Sequence, residues 1–422
     1  MHHFDYVDGA LHAEDVPLAR IADEVGTPVY VYSTATLTRH VRVFSEAFAG
    51  VDHLVCYAVK ALSNQAVLTT LARLGTGMDV VSGGELLRAL KAGVPGERIT
   101  FSGVGKTDAE LAQALDAGIL CFNVESEPEL RALSRIAFEK GATAPIALRV
   151  NPDVDAGSHA KISTGSSETK FGVPIARARD VYAEAAGLPG IEVAGVDMHI
   201  GSQITALDPF DSAIARLVDF VGDLRADGHR IDHVDLGGGL GIPYRWDNDP
   251  PPHPDAYAGV VKRLTSGLKA KLIFEPGRLI VGNAGILLTR VIYVKDGADK
   301  TFVIVDAGMN DLIRPTLYDA HHEIQPVTEA RPDTPRIRGD VVGPVCETGD
   351  YLALDRDIAA VKAGDLLAVM SAGAYGAAQS STYNSRPLVP EVLVDGGRYA
   401  VVRPRPTIEE MIAQDRLPDW LR

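Results

Sequence analysis

Cysteine is scarce in this chain. Only three are present among 422 residues, Cys56, Cys121 and Cys346, an odd number at long spacings that indicates neither a disulfide framework nor a zinc ribbon. A reducing, cytoplasmic location is expected. Long apolar runs are missing too: no stretch approaches about eighteen uninterrupted apolar residues, and the opening "MHHFDYVDGA" lacks the basic-then-apolar order of an export signal. Neither membrane spanning nor secretion is expected. Nor is there an excess of positive charge, since 41 Lys and Arg against 56 Asp and Glu leave a formal net charge of -15. Nucleic acid and anionic membranes both favour a basic surface, so small molecules are the better partners. No internal repeat or low-complexity segment interrupts the chain. With 46% apolar and 23% charged residues, it has the composition of a globular protein that buries a large core.

What is present is a rhythm. From about residue 27 to 280, short apolar, β-branched runs alternate with helical patterns that stop at glycine. The runs are "LVCYAV", "GMDVVS", "RITFSG", "ILCFNV", "PIALRV", "VAGVDMHI", "HVDLGG" and "LIFEP". Segments such as "NQAVLTTLARLG" and "SEPELRALSRIAFEKG" space apolar residues by three and four, as amphipathic helices do. Alternation of this kind predicts parallel strands with crossover helices, and eight units predict closure into an eight-stranded TIM-like α/β barrel over residues 27–280. An open doubly wound sheet is the competing arrangement. After residue 280 the texture changes to alternating Val- and Ile-rich runs broken by Asp-Gly and Gly-Gly, which predicts a second, mostly antiparallel β domain over residues 281–422. The hairpin-like residues 1–26 are expected to join it. Two long loops, "NPDVDAGSHAKISTGSSETKFGVP" and "PYRWDNDPPPHPDAYAG", are of a length more often functional than decorative.

Barrel active sites lie at the C-terminal ends of the strands, and unusual polar residues fall there: Lys60, Asp79, Ser102, Asn123 with Glu125, Arg149 with Asn151, His199 with Ser202, and Glu275 with Arg278. "DLGGGLG" and "EPGRLIVGNAG" follow the seventh and eighth runs, where barrels often hold a phosphate on backbone N–H groups. Lys60 ends an apolar run. A lysine there either snorkels into solvent or, with its pKa lowered in a pocket, forms a Schiff base with a carbonyl, as pyridoxal phosphate enzymes and certain aldolases do. Glu275 favours the former group, because pyridoxal chemistry needs an acid facing the pyridine nitrogen. Its plainer readings are a solvated carboxylate or an ion pair with Arg278. His199 is open between a stacking face, a base and a core histidine. Arg314 and Tyr318, four apart in "LIRPTLYDA", share a face if that segment is helical, and a guanidinium suits bidentate carboxylate binding. Cys56 and Cys121 are expected in the core, and Cys346 beside Glu347 in an accessible loop. The pairs His2–His3 and His321–His322 lack partners at metal-ligand spacing; exposed loops, and no metal site, are expected.

The ordered set "YAVKA", "HIGSQ", "GGGLG", "EPGR", "GPVCETGD" and "GAYG" closely resembles the fold-type III pyridoxal phosphate decarboxylases over essentially the whole chain. "HAKISTGSSETKFGV" and "TYNSRP" resemble their diaminopimelate branch rather than the ornithine or arginine branches. The resemblance implies pyridoxal 5'-phosphate as cofactor and loss of carbon dioxide from meso-2,6-diaminopimelate to give L-lysine. It implies that Lys60 carries the cofactor, that His199 stacks on its ring and that Glu275 meets the pyridine nitrogen. Ser202, Gly238, Gly239, Gly277 and Arg278 would surround the phosphate, with Tyr375 nearby. Arg278, Arg314, Tyr318, Glu347 and Tyr375 would hold the amino acid substrate. Cys346 would donate the proton, from the neighbouring subunit of a homodimer with shared active sites.

Overall fold

Local chemistry starts and stops the barrel helices. Asn64, Ser82 and Ser126 accept hydrogen bonds at the N-termini of Gln65–Arg73, Gly83–Lys91 and Glu127–Lys140, each satisfying one otherwise unpaired N–H. Thr107 and Glu110 form a reciprocal capping box on Asp108–Asp116. Gly141, at φ 61°, ends the longest of these four in the left-handed conformation that glycine adopts without cost. These polar residues therefore fix where the helices start.

A computed structural model describes residues 2–155, 170–245 and 250–421. The eight apolar runs form parallel strands, His53–Ala58, Gly77–Val80, Ile99–Phe101, Cys121–Val124, Ala144–Asn151, Ile191–Asp197, His233–Asp235 and Lys271–Phe274. Each pairs with the next. Leu272, Ile273 and Phe274 of the last then pair with His53, Leu54 and Val55 of the first, so the sheet closes and the open arrangement is excluded. Closure fixes which side chains converge at the strand ends.

The chain divides into two compact units, one of Thr38–Pro243 with Asp247–Ile280 and the other of Met1–Leu37, Tyr244–Trp246 and Val281–Arg422. In the second, a sheet runs in the order Tyr351–Ala359, Arg336–Val342, Thr301–Val305, Gly285–Asp296, Val29–Ser33, Glu391–Asp395, Arg398–Arg403. Its pairings are antiparallel except Thr301–Val305 with Arg336–Val342 and Val29–Ser33 with Glu391–Asp395. Val29, Val31, Ile286, Leu288, Val392 and Val394 share one fully buried cluster with Phe4, Leu11 and Val16, so the N-terminal hairpin packs on the same core. The expected residues of the loop 156–169, including most of "HAKISTGSSETKFGV", and those of 246–249 lie outside the described residues.

The barrel unit also has an aromatic cluster. Phe48 is fully buried, with its ring centroid 4.2 Å from Phe274, 5.3 Å from Phe44 and 6.0 Å from Tyr257. Phe48→Ala is expected to lower unfolding free energy by about 3–5 kcal/mol through lost burial and a residual cavity. Urea titration of the purified variant checks this; a loss under about 1 kcal/mol would mean that the cluster carries little of the packing.

Candidate functional site at the barrel end

The lysine at the end of the first strand is answered by the second. Lys60 Nζ donates to Asp79 Oδ2 at 2.9 Å; the lysine side chain is 36% exposed and the aspartate fully buried. Such a lysine does not merely snorkel. It is tethered at the barrel mouth with its head partly open to a ligand.

Glu275 follows the eighth strand and is 6% exposed, which removes the solvated reading. Its Oε1 accepts from Asn123 Nδ2 at 3.2 Å, Thr100 Oγ1 at 3.3 Å and Ser102 Oγ at 3.4 Å. Asp197 and Asp235, on the sixth and seventh strands, bring carboxylate oxygens that lie with one of Glu275 within 4.8 Å of one another. Burial first, then the neighbouring carboxylates Asp235, Asp79 and Asp197, hold the Glu275 pKa well above the ordinary range, while Lys60 pulls it back. Asp197 is raised well above the ordinary value by burial and then by Asp235. Burial likewise pushes Asp235 up to about 7, opposed by the Gly237 N–H, which donates to its Oδ1 at 2.9 Å. Like charges this close cannot all ionise, so the set shares protons. Neither Asp197 nor Asp235 was picked out from sequence. The available signal was an acid inside an apolar strand, in "VAGVDMHI" and "HVDLGG".

Backbone approach is secured by glycine. A Cβ on Gly238 would lie 2.4 Å from the Glu275 carbonyl oxygen. At Gly237, where φ is 64°, it would lie 2.5 Å from the Met198 carbonyl oxygen. Only glycine fits, and the main chain is bare where a ligand would meet it. The Gly238 N–H donates to His199 Nδ1 at 3.2 Å, so that nitrogen carries a lone pair. Enclosure by protein, then Arg149 and Lys60, push the His199 pKa well below its usual value. His199 is thus a neutral ring, suited to stacking rather than to charge pairing. Arg278 Nη2 donates to Ser202 Oγ at 3.0 Å, joining the sixth- and eighth-strand loops. Glu125 and Arg149, also at strand ends, pair at 3.1 Å while Glu125 takes the Gly103 and Gly172 N–H groups; theirs is a structural bond that shapes the rim.

These residues fit pyridoxal phosphate. One barrel end supplies an amine, a buried acid that holds a proton for a ring nitrogen, a neutral aromatic face and a bare glycine backbone with an adjacent serine and arginine for an anion.

The remaining expected residues lie in the β unit. Arg314–Tyr318 forms a short helix, as its spacing suggests, and Arg314 is 6% exposed. Tyr318 accepts a hydrogen bond from Gln379 at 3.3 Å. Cys346 and Glu347 sit in an exposed loop, whose Cys346 N–H donates to Asn384 at 3.0 Å. Asp350, given no role from sequence, anchors that loop by accepting from the Met309 and Val345 N–H groups at 2.6 and 2.5 Å. Tyr375 has φ 56°, uncommon for a non-glycine residue and a form of strain that collects at functional sites. Cys56 and Cys121 are fully buried, as expected. The expectation for His321–His322 fails: His322 is fully buried and His321 partly so. Each ring nitrogen of His322 has a protein partner, which is what permits its burial.

Residues 34–282 match the family model described as "Pyridoxal-dependent decarboxylase, pyridoxal binding domain". The chain is 49% identical to a protein named diaminopimelate decarboxylase from Zymomonas mobilis over 421 residues, 99% of each chain. It is 54% identical to one of that name from Pseudomonas aeruginosa over 414 residues, 98% of this chain and 99% of that one. The crystal structure of diaminopimelate decarboxylase from Helicobacter pylori complexed with L-lysine superimposes with a TM-score of 0.90 at 40% identity, covering 94% of this chain and 98% of that one.

The carboxyl cluster carries a pH signature. With Asp235 raised from 3.8 to about 7, the folded state binds a proton that the unfolded state has lost between those values, so stability falls as pH rises through this window. In cofactor-free protein, Asp235→Asn is expected to flatten the urea midpoint between about pH 4 and pH 7 relative to the natural chain. Parallel profiles for the two would rule out the elevated Asp235.

Proposed function

The chain belongs to the pyridoxal-dependent decarboxylases, as a diaminopimelate decarboxylase, and from that premise we propose how its own residues convert meso-2,6-diaminopimelate to L-lysine and carbon dioxide. The observation that carries the reading is the meeting, at one barrel end, of the Lys60–Asp79 pair, the glycine backbone of 237–239 and the buried acid Glu275. No sugar-phosphate aldolase needs that acid.

Pyridoxal 5'-phosphate, when bound, supplies a sink for the electron pair released as the Cα–carboxylate bond breaks. Lys60 would hold it through its ε-nitrogen, and Asp79, 2.9 Å from that nitrogen, would keep the lysine head at the barrel mouth when it carries a charge. Glu275, with its raised pKa, retains a proton at the ring nitrogen, where positive charge makes the sink effective. His199 presents its neutral face to the ring. Gly238, Gly239, Gly277, Ser202 and Arg278 hold the phosphate, with Tyr375. Arg314 receives the distal carboxylate of the substrate, with Arg278, Tyr318, Glu347 and Tyr375 completing its binding. Cys346 Sγ delivers the proton that replaces carbon dioxide at Cα.

By this reading residues 27–280 are the cofactor-binding barrel, and residues 281–422, joined by 1–26, are the β domain that carries Arg314, Tyr318, Cys346, Glu347 and Tyr375. Cys346 and Glu347 serve the site of a second copy, so the working form is a homodimer with shared sites. It acts in the cytoplasm, where a reducing environment keeps an exposed cysteine as a thiol. Among the described residues no helix is long and apolar enough to cross a membrane.

Lys60→Ala is expected to abolish turnover and to leave no cofactor adduct at residue 60 after borohydride reduction and intact mass spectrometry; near-normal activity in that variant would end the assignment. Cys346→Ala should keep cofactor absorbance while kcat drops roughly 10²- to 10⁴-fold, the usual worth of a positioned acid. Mixing the two inactive variants under subunit exchange should restore part of the activity. No recovery despite proven exchange would contradict sharing of sites.

A further inference from the structure

We infer that His322 is a positioning residue for the substrate's distal carboxylate, acting through Arg314. The inference rests on the reading that Arg314 binds that carboxylate, and deepens it.

The chain between Arg314 and His322 makes a compact return. The helix Arg314–Tyr318 ends at Asp319 in the left-handed conformation, with φ 50°, and the Ala320 N–H donates back to the Arg314 carbonyl at 3.3 Å. His322 then lies just before the strand Ile324–Pro326, fully buried. Its Nδ1 is 2.9 Å from the Met370 carbonyl oxygen. A carbonyl can only accept, so Nδ1 carries the proton. Its Nε2 is 2.8 Å from Arg314 Nη1. A guanidinium can only donate, so Nε2 offers its lone pair and the imidazole is the neutral Nδ1–H tautomer. The backbone of Met370 therefore decides what His322 can offer to Arg314.

A second surface limits the same guanidinium. Its central carbon lies 4.5 Å from the centroid of the Tyr244 ring, a cation–π distance. That ring in turn meets His322 edge-on, with centroids 5.3 Å apart and planes at 80°. One in-plane acceptor and one aromatic face together restrict both the direction and the tilt of the guanidinium. The choice of histidine has an electrostatic consequence. A carboxylate in its place would orient Arg314 equally well but would cancel its charge, whereas a neutral acceptor adds no negative charge to compete with an arriving carboxylate. Orientation is gained and attraction is kept.

L-Lysine retains the distal carboxylate, while 1,5-diaminopentane has the same chain and no carboxylate. Binding of both to cofactor-loaded protein is measured by calorimetry, beside the KM for meso-diaminopimelate. His322→Leu is expected to weaken L-lysine and raise KM roughly ten- to a hundredfold, as for loss of a hydrogen bond to a charged group, while binding of 1,5-diaminopentane stays within about twofold. His322→Gln, whose amide oxygen reaches toward Arg314, should recover most of the loss. Should the leucine variant not fold, His322→Asn, too short to reach, replaces it with the same expectation. Unchanged L-lysine affinity, or equal weakening of both ligands, overturns the inference. Arg314→Met separates the two levels: if it leaves L-lysine binding intact, the carboxylate assignment itself fails. If it weakens L-lysine and His322→Leu does not, only the role of His322 fails.

Discussion

Carboxyl groups confined together inside a closed barrel cannot all carry charge, and that constraint organises the barrel end. Asp79, Asp197, Asp235 and Glu275 come from four strands, and all are buried. Asp79 is balanced by Lys60 at 2.9 Å; Glu275 accepts from Asn123, Thr100 and Ser102 and Asp235 from the Gly237 N–H, and Asp197, Asp235 and Glu275 share protons. A buried negative excess of this kind costs stability in the empty protein and favours any ligand that brings a positive charge or a proton to it. A protonated pyridine nitrogen is such a ligand.

Within each unit the protein also relies on polar groups that orient their neighbours. His199 has a nitrogen that accepts from the Gly238 N–H and a pKa held well below its usual value, so its ring stays neutral. His322 donates from Nδ1 to the Met370 carbonyl and turns the Nε2 lone pair of its neutral ring to Arg314. Asp350 is a carboxyl group whose pKa burial raises above its ordinary value. Its oxygens take two backbone N–H groups that fix the loop of Cys346 and Glu347. His322 and Asp350 thus each fix where a neighbour points, Arg314 in the one case and the loop of Cys346 and Glu347 in the other.

Much of the architecture was legible because alternation is a local property. The run "LVCYAV" is apolar because its strand, His53–Ala58, is buried on both faces. "SEPELRALSRIAFEKG" reads as a helix because its cap, its periodicity and its terminal glycine lie within sixteen neighbouring residues. Lys60, Glu275 and the glycines 237–239 were visible for a related reason: each breaks the chemistry of its own strand end. Asp235 and Asp197 were less visible, since one acid in a strand has no meaning until the strands beside it are known. His322 was misread for the same cause. Its two partners are eight and forty-eight residues away in sequence, and no spacing rule joins them.

The amino-acid sequence by itself determined the elements, their alternation and the unusual polar residues at the strand ends, because these depend on side-chain periodicity and short-range hydrogen bonding. Only the tertiary structure decided that the sheet closes, that four carboxyl groups crowd into one buried space, and that a histidine expected at the surface is fixed in one tautomer beneath an arginine. Protonation and tautomer depend on burial and on through-space distances, and chain order does not encode those distances.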